Sequence, residues 1–238
     1  MRSLFVNSFL LASFVTVATG GCVTRNHFAA RSILPDDGSH GDAVQRARQT
    51  IAHVFPTQYC STQRAIIMAG RKQFTCDGLL TVSPGDGYHL ALVSSFGTVT
   101  ELRVEADGAT EVLKVTPLLP EDWGRRFVAR DLRWLFVPPD NLQPAGQLAD
   151  GRLVLQIVPD STGASAEYIF SAAGSRWQEL DLARNGKTFY RVVVEHYLKF
   201  PATAAEIPDE FAVIAESYRL ELRVAAVSTT PAKQEAKP

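Results

Sequence analysis

The chain has 238 residues, enough for one sizeable domain with appendages. Hydrophobic residues make up 46% and charged residues 21%, with a formal net charge of -1, which describes a globular chain that is neither disordered nor strongly basic. That balance argues against nucleic acid as a partner, because phosphate binding needs clustered positive charge.

The first segment is unlike the rest. Arg2 is followed by an apolar run from Leu4 to Ala18, and the run closes in Thr19-Gly20-Gly21-Cys22. A basic start, an apolar stretch and small residues at a cleavage point are the order of a signal peptide, and the run falls short of the roughly 20 residues a spanning helix needs. Residues 1–21 are therefore expected to be removed. Cys22, directly after two glycines, resembles a lipobox cysteine whose thiol receives a diacylglycerol, and more than one acyl chain on one residue makes a durable anchor. Thr19 departs from the usual leucine of that motif. Val23 stands where an inner-membrane retention aspartate would be, so the resemblance implies the outer membrane, with the domain facing the periplasm.

Residues 22–41 mix Pro, Asp, Gly, Ser and His without periodicity and read as a lipidated tether; 42–227 read as the domain and 228–238 as a loose tail. Asp42 can cap a helix in which Val44, Ala47, Ile51 and Val54 recur at three- and four-residue steps. From Thr62 the period changes to two. Phe74, Cys76, Leu80 and Val82 share a face, as do Tyr88, Leu90 and Leu92, then Thr100, Leu102 and Val104. Gly70, Gly85-Asp86-Gly87 and Asp107-Gly108 are turn chemistry between such runs. Further strands are expected over 110–115, 152–158, 166–170, 178–183, 188–197, 210–215 and 218–224. Roughly ten strands joined by short hairpins make the sheet antiparallel. Cys60 and Cys76 are an even pair in an exported chain, which suggests a disulfide, although a symmetrical hairpin about Gly70 would set Cys76 opposite Arg64. Buried free thiols are the other reading.

Residues 125–136 carry Val128, Leu132, Leu135 and Phe136 on one helical stripe, with Arg126, Arg130 and Arg133 mostly off it, before Pro138-Pro139 end the element. This helix either covers the mouth of a curved sheet or is a short core helix with a solvated basic face. Trp123, Trp134 and Trp177 fit a cavity lining or plain core. The sequence contains no nucleophile elbow, zinc-protease motif or phosphate loop, and the histidines show no metal-ligand spacing, so neither enzyme, metal nor cofactor is expected.

The stretch from Tyr88 to Leu102, with Tyr-x-Leu-x-Leu, an apolar residue, a glycine and a Glu-Leu strand, resembles the LolB family of outer-membrane lipoprotein receptors. Asn185-Gly186-Lys187, Val192-Val193-Val194, Tyr197, Pro208 and Tyr218-Arg-Leu-Glu-Leu222 are similar to that family's closing hairpin and last strand. The region around 129–141 is more compact than the family's helical insertion, and 159–166 is peculiar to this chain. The resemblance implies a mainly β fold, an antiparallel half-open barrel of about eleven strands with covering helices. Its apolar cavity would hold acyl chains, lined here by Leu90, Leu92, Leu102, Trp134, Leu220 and Leu222. It further implies lipoproteins or lipids as cargo, a soluble LolA-like carrier as partner, and an apolar residue before a glycine, here Phe96 and Gly97, that passes cargo into the membrane. A Phe packed under its own turn, and a structural lipoprotein scaffolding an envelope complex, remain the alternatives.

Overall fold

The structure, a computed structural model, describes residues 28, 31–36, 38–54, 59–83, 87–95, 97–105, 109–116, 123–137, 139, 141–157, 164–199 and 206–228. Its strands form one antiparallel sheet: β1 (Ile33–Pro35), β2 (Tyr59–Ala69), β3 (Lys72–Ser83), β4 (Gly87–Ser94), β5 (Gly97–Val104), β6 (Thr110–Val115), β7 (Gln143–Leu148), β8 (Leu153–Ile157), β9 (Ala164–Phe170), β10 (Trp177–Arg184), β11 (Lys187–Lys199), β12 (Glu206–Ala215) and β13 (Arg219–Ser228). The 13 strands run in the order β1-β7-β8-β9-β10-β11-β12-β13-β2-β3-β4-β5-β6. Two meanders, β2 to β6 and β7 to β13, are thus stitched together by the pairing of β13 with β2. The sheet does not close, since β1 and β6 stand at opposite ends of the order.

Alternation decides which face is wet. On β5, Thr100, Leu102 and Val104 are buried while Arg103, and Glu105 just past the strand's end, are exposed, as a period of two requires. The inward residues of both meanders meet in one apolar core that contains Leu80, Leu102, Tyr168, Trp177 and Val213, so the sheet wraps around its contents. Helix α1 (Gly41–Val54) plugs this core with Ala43, Val44, Ala47, Ile51 and Val54. Its first turn is closed by the Val44 N–H on the His40 carbonyl at 2.9 Å, two residues ahead of the expected cap, so that Asp42 lies inside the first turn where its charge suits the helix dipole. The second helical segment starts as a π-helical turn, Gly124–Val128, and continues as α2 (Ala129–Phe136).

The barrel of about eleven strands expected from the resemblance is therefore a 13-stranded open sheet. The two additional strands, β1 and β7, lack the apolar alternation that marks the others. Strand β7 reads Gln-Pro-Ala-Gly-Gln-Leu, with a register shift between Pro144 and Gly146, and proline at a bulge is where a ladder tolerates it. Strand β1 lies within the segment read as a tether. Ile33 joins Leu148, Val154 and Ile169 in a small second core on the convex face, and the Arg31 guanidinium bonds to Glu179 and lies 3.8 Å from Asp181. Gly146 permits this docking: at φ +138 a Cβ there would sit 1.9 Å from the Leu34 carbonyl oxygen. Gly146→Ala should unseat β1 at a cost of about 1–3 kcal/mol. Limited proteolysis should then cut near Leu34 faster with the rest of the sheet intact, and an unchanged digest would show that β1 needs no glycine partner.

The disulfide expectation is corrected. Cys60 and Cys76 are both buried and free. Hairpin β2–β3 turns on two residues, Gly70 and Arg71, so Cys76 faces Ala65 where a turn centred on Gly70 would have set it opposite Arg64; Cys60 faces Thr81. Five positions of strand between Thr81 and Cys76 amount to about 17 Å, far beyond the roughly 7 Å limit for bridged Cα atoms. Burial, then the charge of Asp77, pushes the Cys76 thiol up to about 11, which keeps it unreactive.

Candidate ligand cavity

A cavity of about 240 Å³ opens between the inner face of β2, β4 and β13 and the helical segment above it. Its floor is Gln63, Ala65, Ile67 and Ala69 of β2, Leu90 and Leu92 of β4, and Leu220 and Leu222 of β13; its roof is Trp123, Phe127, Val128, Asp131, Leu132, Leu135 and Phe136. The space exists because β2 places alanine at 65 and 69, where the period of two points side chains inward, and because Gly78 beside them has no side chain at all. A Cβ on Gly78 would press on the Leu92 side chain at 3.0 Å. The volume lies just below the roughly 300–1,000 Å³ of small-molecule pockets, and the lining is overwhelmingly apolar, which suits a narrow hydrocarbon.

One wall carries charge. Asp131 is 7% exposed, and Tyr218 Oη lies 2.5 and 2.7 Å from its carboxylate oxygens and donates to them. Arg130 Nη2 donates to the same Tyr218 Oη at 2.7 Å and its guanidinium stacks 4.8 Å from the Tyr190 ring. Burial pushes the Asp131 carboxyl up to about 6, opposed first by Arg130 and then by the hydrogen bonds from Tyr218. Burial and the neighbouring Asp131 in turn hold the Tyr190 and Tyr218 hydroxyls above their ordinary range. Phe127 adds an edge-to-face contact with Tyr218 at 5.5 Å. The roof is thus tied to the β12–β13 turn and to β11 by one polar knot.

Of the residues singled out in the sequence, Leu90, Leu92, Leu220 and Leu222 meet in this cavity. Leu102 is fully buried in the core but does not line the space, and Trp134 is half-buried against the core with Arg133 stacked on its ring at 5.9 Å. Gly97 opens β5 at an exposed turn with φ +109. Phe96 and Cys22 lie outside the described residues. His89 contacts Glu101 at 3.0 Å and His196 contacts Asp209 at 2.6 Å, so both rings have local partners. Among the described residues no helix is long and apolar enough to cross a membrane. Sequence reasoning missed Arg130, Asp131 and Tyr218. The available signal was a carboxylate at 131 set on the same helical stripe as Val128, Leu132 and Leu135, a position that water does not reach.

No protein-family model matches the chain, and no curated protein does. Solved structures do match. A domain assigned to outer membrane lipoprotein sorting, from Vibrio parahaemolyticus, superposes with a TM-score of 0.55 at 14% identity, over 81% of this chain and 94% of that one. A LolA superfamily protein from Nitrosomonas europaea superposes with a TM-score of 0.52 at 7% identity, over 80% of this chain and 94% of that one. At such identities the likeness is one of fold, and the fold of this chain is LolA-like.

Proposed function

We propose that the chain is a lipid-anchored periplasmic binding protein, not an enzyme, whose cavity takes acyl chains and passes lipoproteins or lipids to the outer membrane in the manner of a LolB-type receptor. The observation that carries the reading is the apolar cavity under a helical roof. Each methylene moved from water into such a space is favourable by about 0.8 kcal/mol, so a partial fit retains a chain without an energy source. The lipoprotein-sorting assignment of the Vibrio parahaemolyticus domain with the same fold supports the cargo class. Cys22 is the anchor in this reading, residues 23–30 the link between lipid and docked Arg31, and a soluble LolA-like carrier the donor. Phe96, beside Gly97, acts as the wedge that opens cargo to the bilayer.

Mass spectrometry of lipids extracted from the purified chain tests binding, and a liposome assay tests transfer. Acyl species should accompany the parent. Phe96→Glu should keep them yet fail in transfer, with stability changed by no more than about 0.5 kcal/mol, as for exposed substitutions in general, while Phe96→Leu preserves transfer. A chain that carries no acyl species and captures one stable protein would be a scaffold, and a Phe96→Glu chain that loses both melting temperature and binding would place Phe96 in the core.

A further inference from the structure

The antiparallel pairing sets the β2–β3, β4–β5, β10–β11 and β12–β13 turns at one end of the sheet, the end at which Ala69, Ser217 and Tyr218 line the cavity. Charge is distributed unevenly about this end. Arg71 and Lys72 crown the β2–β3 hairpin, Arg184 and Lys187 the β10–β11 hairpin, and all four are exposed. Among the described residues none of the four is in an ion pair. Elsewhere most cations of the sheet are matched, although Arg125 and Arg133 of the roof are not among the described residues: Arg191 holds Asp181 at 2.6 Å, Arg176 holds Glu206 at 2.6 Å and Arg223 holds Glu210 at 3.0 Å. Arg103, Lys114 and Lys199 each stand directly opposite a glutamate in the register. Arg184 instead stands directly opposite Lys187, a like-charge pair that costs the hairpin stability. Among the described residues of the four turns and their flanking strand ends the carboxylates are Glu216 and Glu221, and Glu221 is taken up by Arg219 at 3.3 Å. In a chain of net charge -1 this end is therefore a local excess of unmatched cations.

The same end exposes apolar surface. Phe74 points to the inner side of β3, opposite the cavity residue Ile67, yet is 45% exposed, because the roof does not extend over it.

We propose that this end is a docking surface for an anionic phospholipid bilayer: Arg71, Lys72, Arg184 and Lys187 lie against headgroup phosphates while Phe74 enters the interface at the lip of the cavity. Clustered cations bind anionic membranes through the summed surface potential, at about five-fold in affinity for each, and the amphipathic interface accepts an aromatic ring. The inference rests on the reading of the protein as a carrier at a membrane and adds the side that meets the bilayer and the lipid charge it requires.

The test uses the full chain with Cys22→Ser, in which Cys60 and Cys76 are buried, so that a nitroxide attaches at Gln73→Cys or, at the other end of the sheet, at Lys199→Cys. The apolar N-terminal segment is common to every variant, so the position of the label, not the amount bound, is read. On phosphatidylglycerol vesicles the label at 73 should gain collisions with oxygen and lose them with a water-soluble nickel chelate, while the label at 199 stays aqueous. On phosphatidylcholine vesicles, or with Arg71→Glu, Lys72→Glu, Arg184→Glu and Lys187→Glu combined, both labels should stay aqueous. A label at 73 that stays aqueous on phosphatidylglycerol overturns the proposal and leaves an acidic protein as the occupant; one that inserts equally into phosphatidylcholine, or despite the charge reversals, also overturns it. A fluorescent fatty acid titrated into the same variants separates the two readings: loss of probe binding in the parent removes the acyl reading alone, and an aqueous label beside intact probe binding removes the docking surface alone.

Discussion

Ala65→Phe is expected to abolish acyl-chain binding while leaving the domain as stable as the parent or more so. Ala65 is 4% exposed, its side chain points from the middle of β2 into the cavity, and Cys76 lies opposite it in the register. A phenyl ring introduced there enters space that already exists. Overpacking costs about 1–3 kcal/mol when a core is full, and the 240 Å³ cavity removes the reason for that cost. Burial of the ring contributes about 1.5–3 kcal/mol in the opposite direction. A ligand denied even three methylenes of contact loses about 2.4 kcal/mol, roughly fifty-fold in Kd. Displacement of a fluorescent fatty acid and a thermal melt measure the two quantities on one sample. Unchanged affinity would mean that the chain binds elsewhere. Lost affinity with a lowered melting temperature would mean that the strand had been forced apart, and Ala69→Phe, nearer the turn, would then need to reproduce the loss without the destabilisation.

The parts of this fold that were legible in the sequence are those in which burial is one-sided. Leu102 and Val104, or Leu220 and Leu222, alternate with polar neighbours because one face of each strand is wet, and that alternation is written into the residues themselves. Strand β7 was not legible because a register shift against β8 between Pro144 and Gly146 breaks its alternation, and its pairing with β1 relies on Gly146 and on contact with a distant segment in place of side-chain pattern. The register of Cys76 depended on one residue of turn length, which sequence symmetry does not specify. The polar knot was hidden for a different reason. Arg130 and Asp131 are adjacent residues of an amphipathic helix, where charge is ordinarily solvated, and only the approach of Tyr218 from the β12–β13 turn and Tyr190 from β11 converts them into an interior cluster.

That cluster makes the stability of the domain respond to pH through Asp131. Its carboxyl is raised from 3.8 to about 6 by burial, so the folded chain favours the neutral acid. A group raised in the folded state contributes its stability fully below the unfolded value and loses it as pH rises through the folded one, here between about pH 4 and pH 6. Two pH units correspond to on the order of 3 kcal/mol. Asp131→Asn keeps the shape and an acceptor for the Tyr218 hydroxyl but cannot ionise. Urea unfolding of both chains at several pH values should therefore show the variant gaining on the parent by about that amount from pH 4 to pH 7, as the parent alone comes to bear a buried charge. Glu179 and Asp150, whose carboxyls are held low by their arginine partners, lose stability in the opposite direction as pH falls, equally in both chains, and cancel in the difference. Tyr218→Phe, by removing a bond that favours the charged form, should move the midpoint of the parent's transition upward. A difference that stays flat across this range would mean that Asp131 ionises in the fold as readily as in water. Solvent would then reach the wall between roof and β13, and the cavity beside it would be wet and a poor host for hydrocarbon.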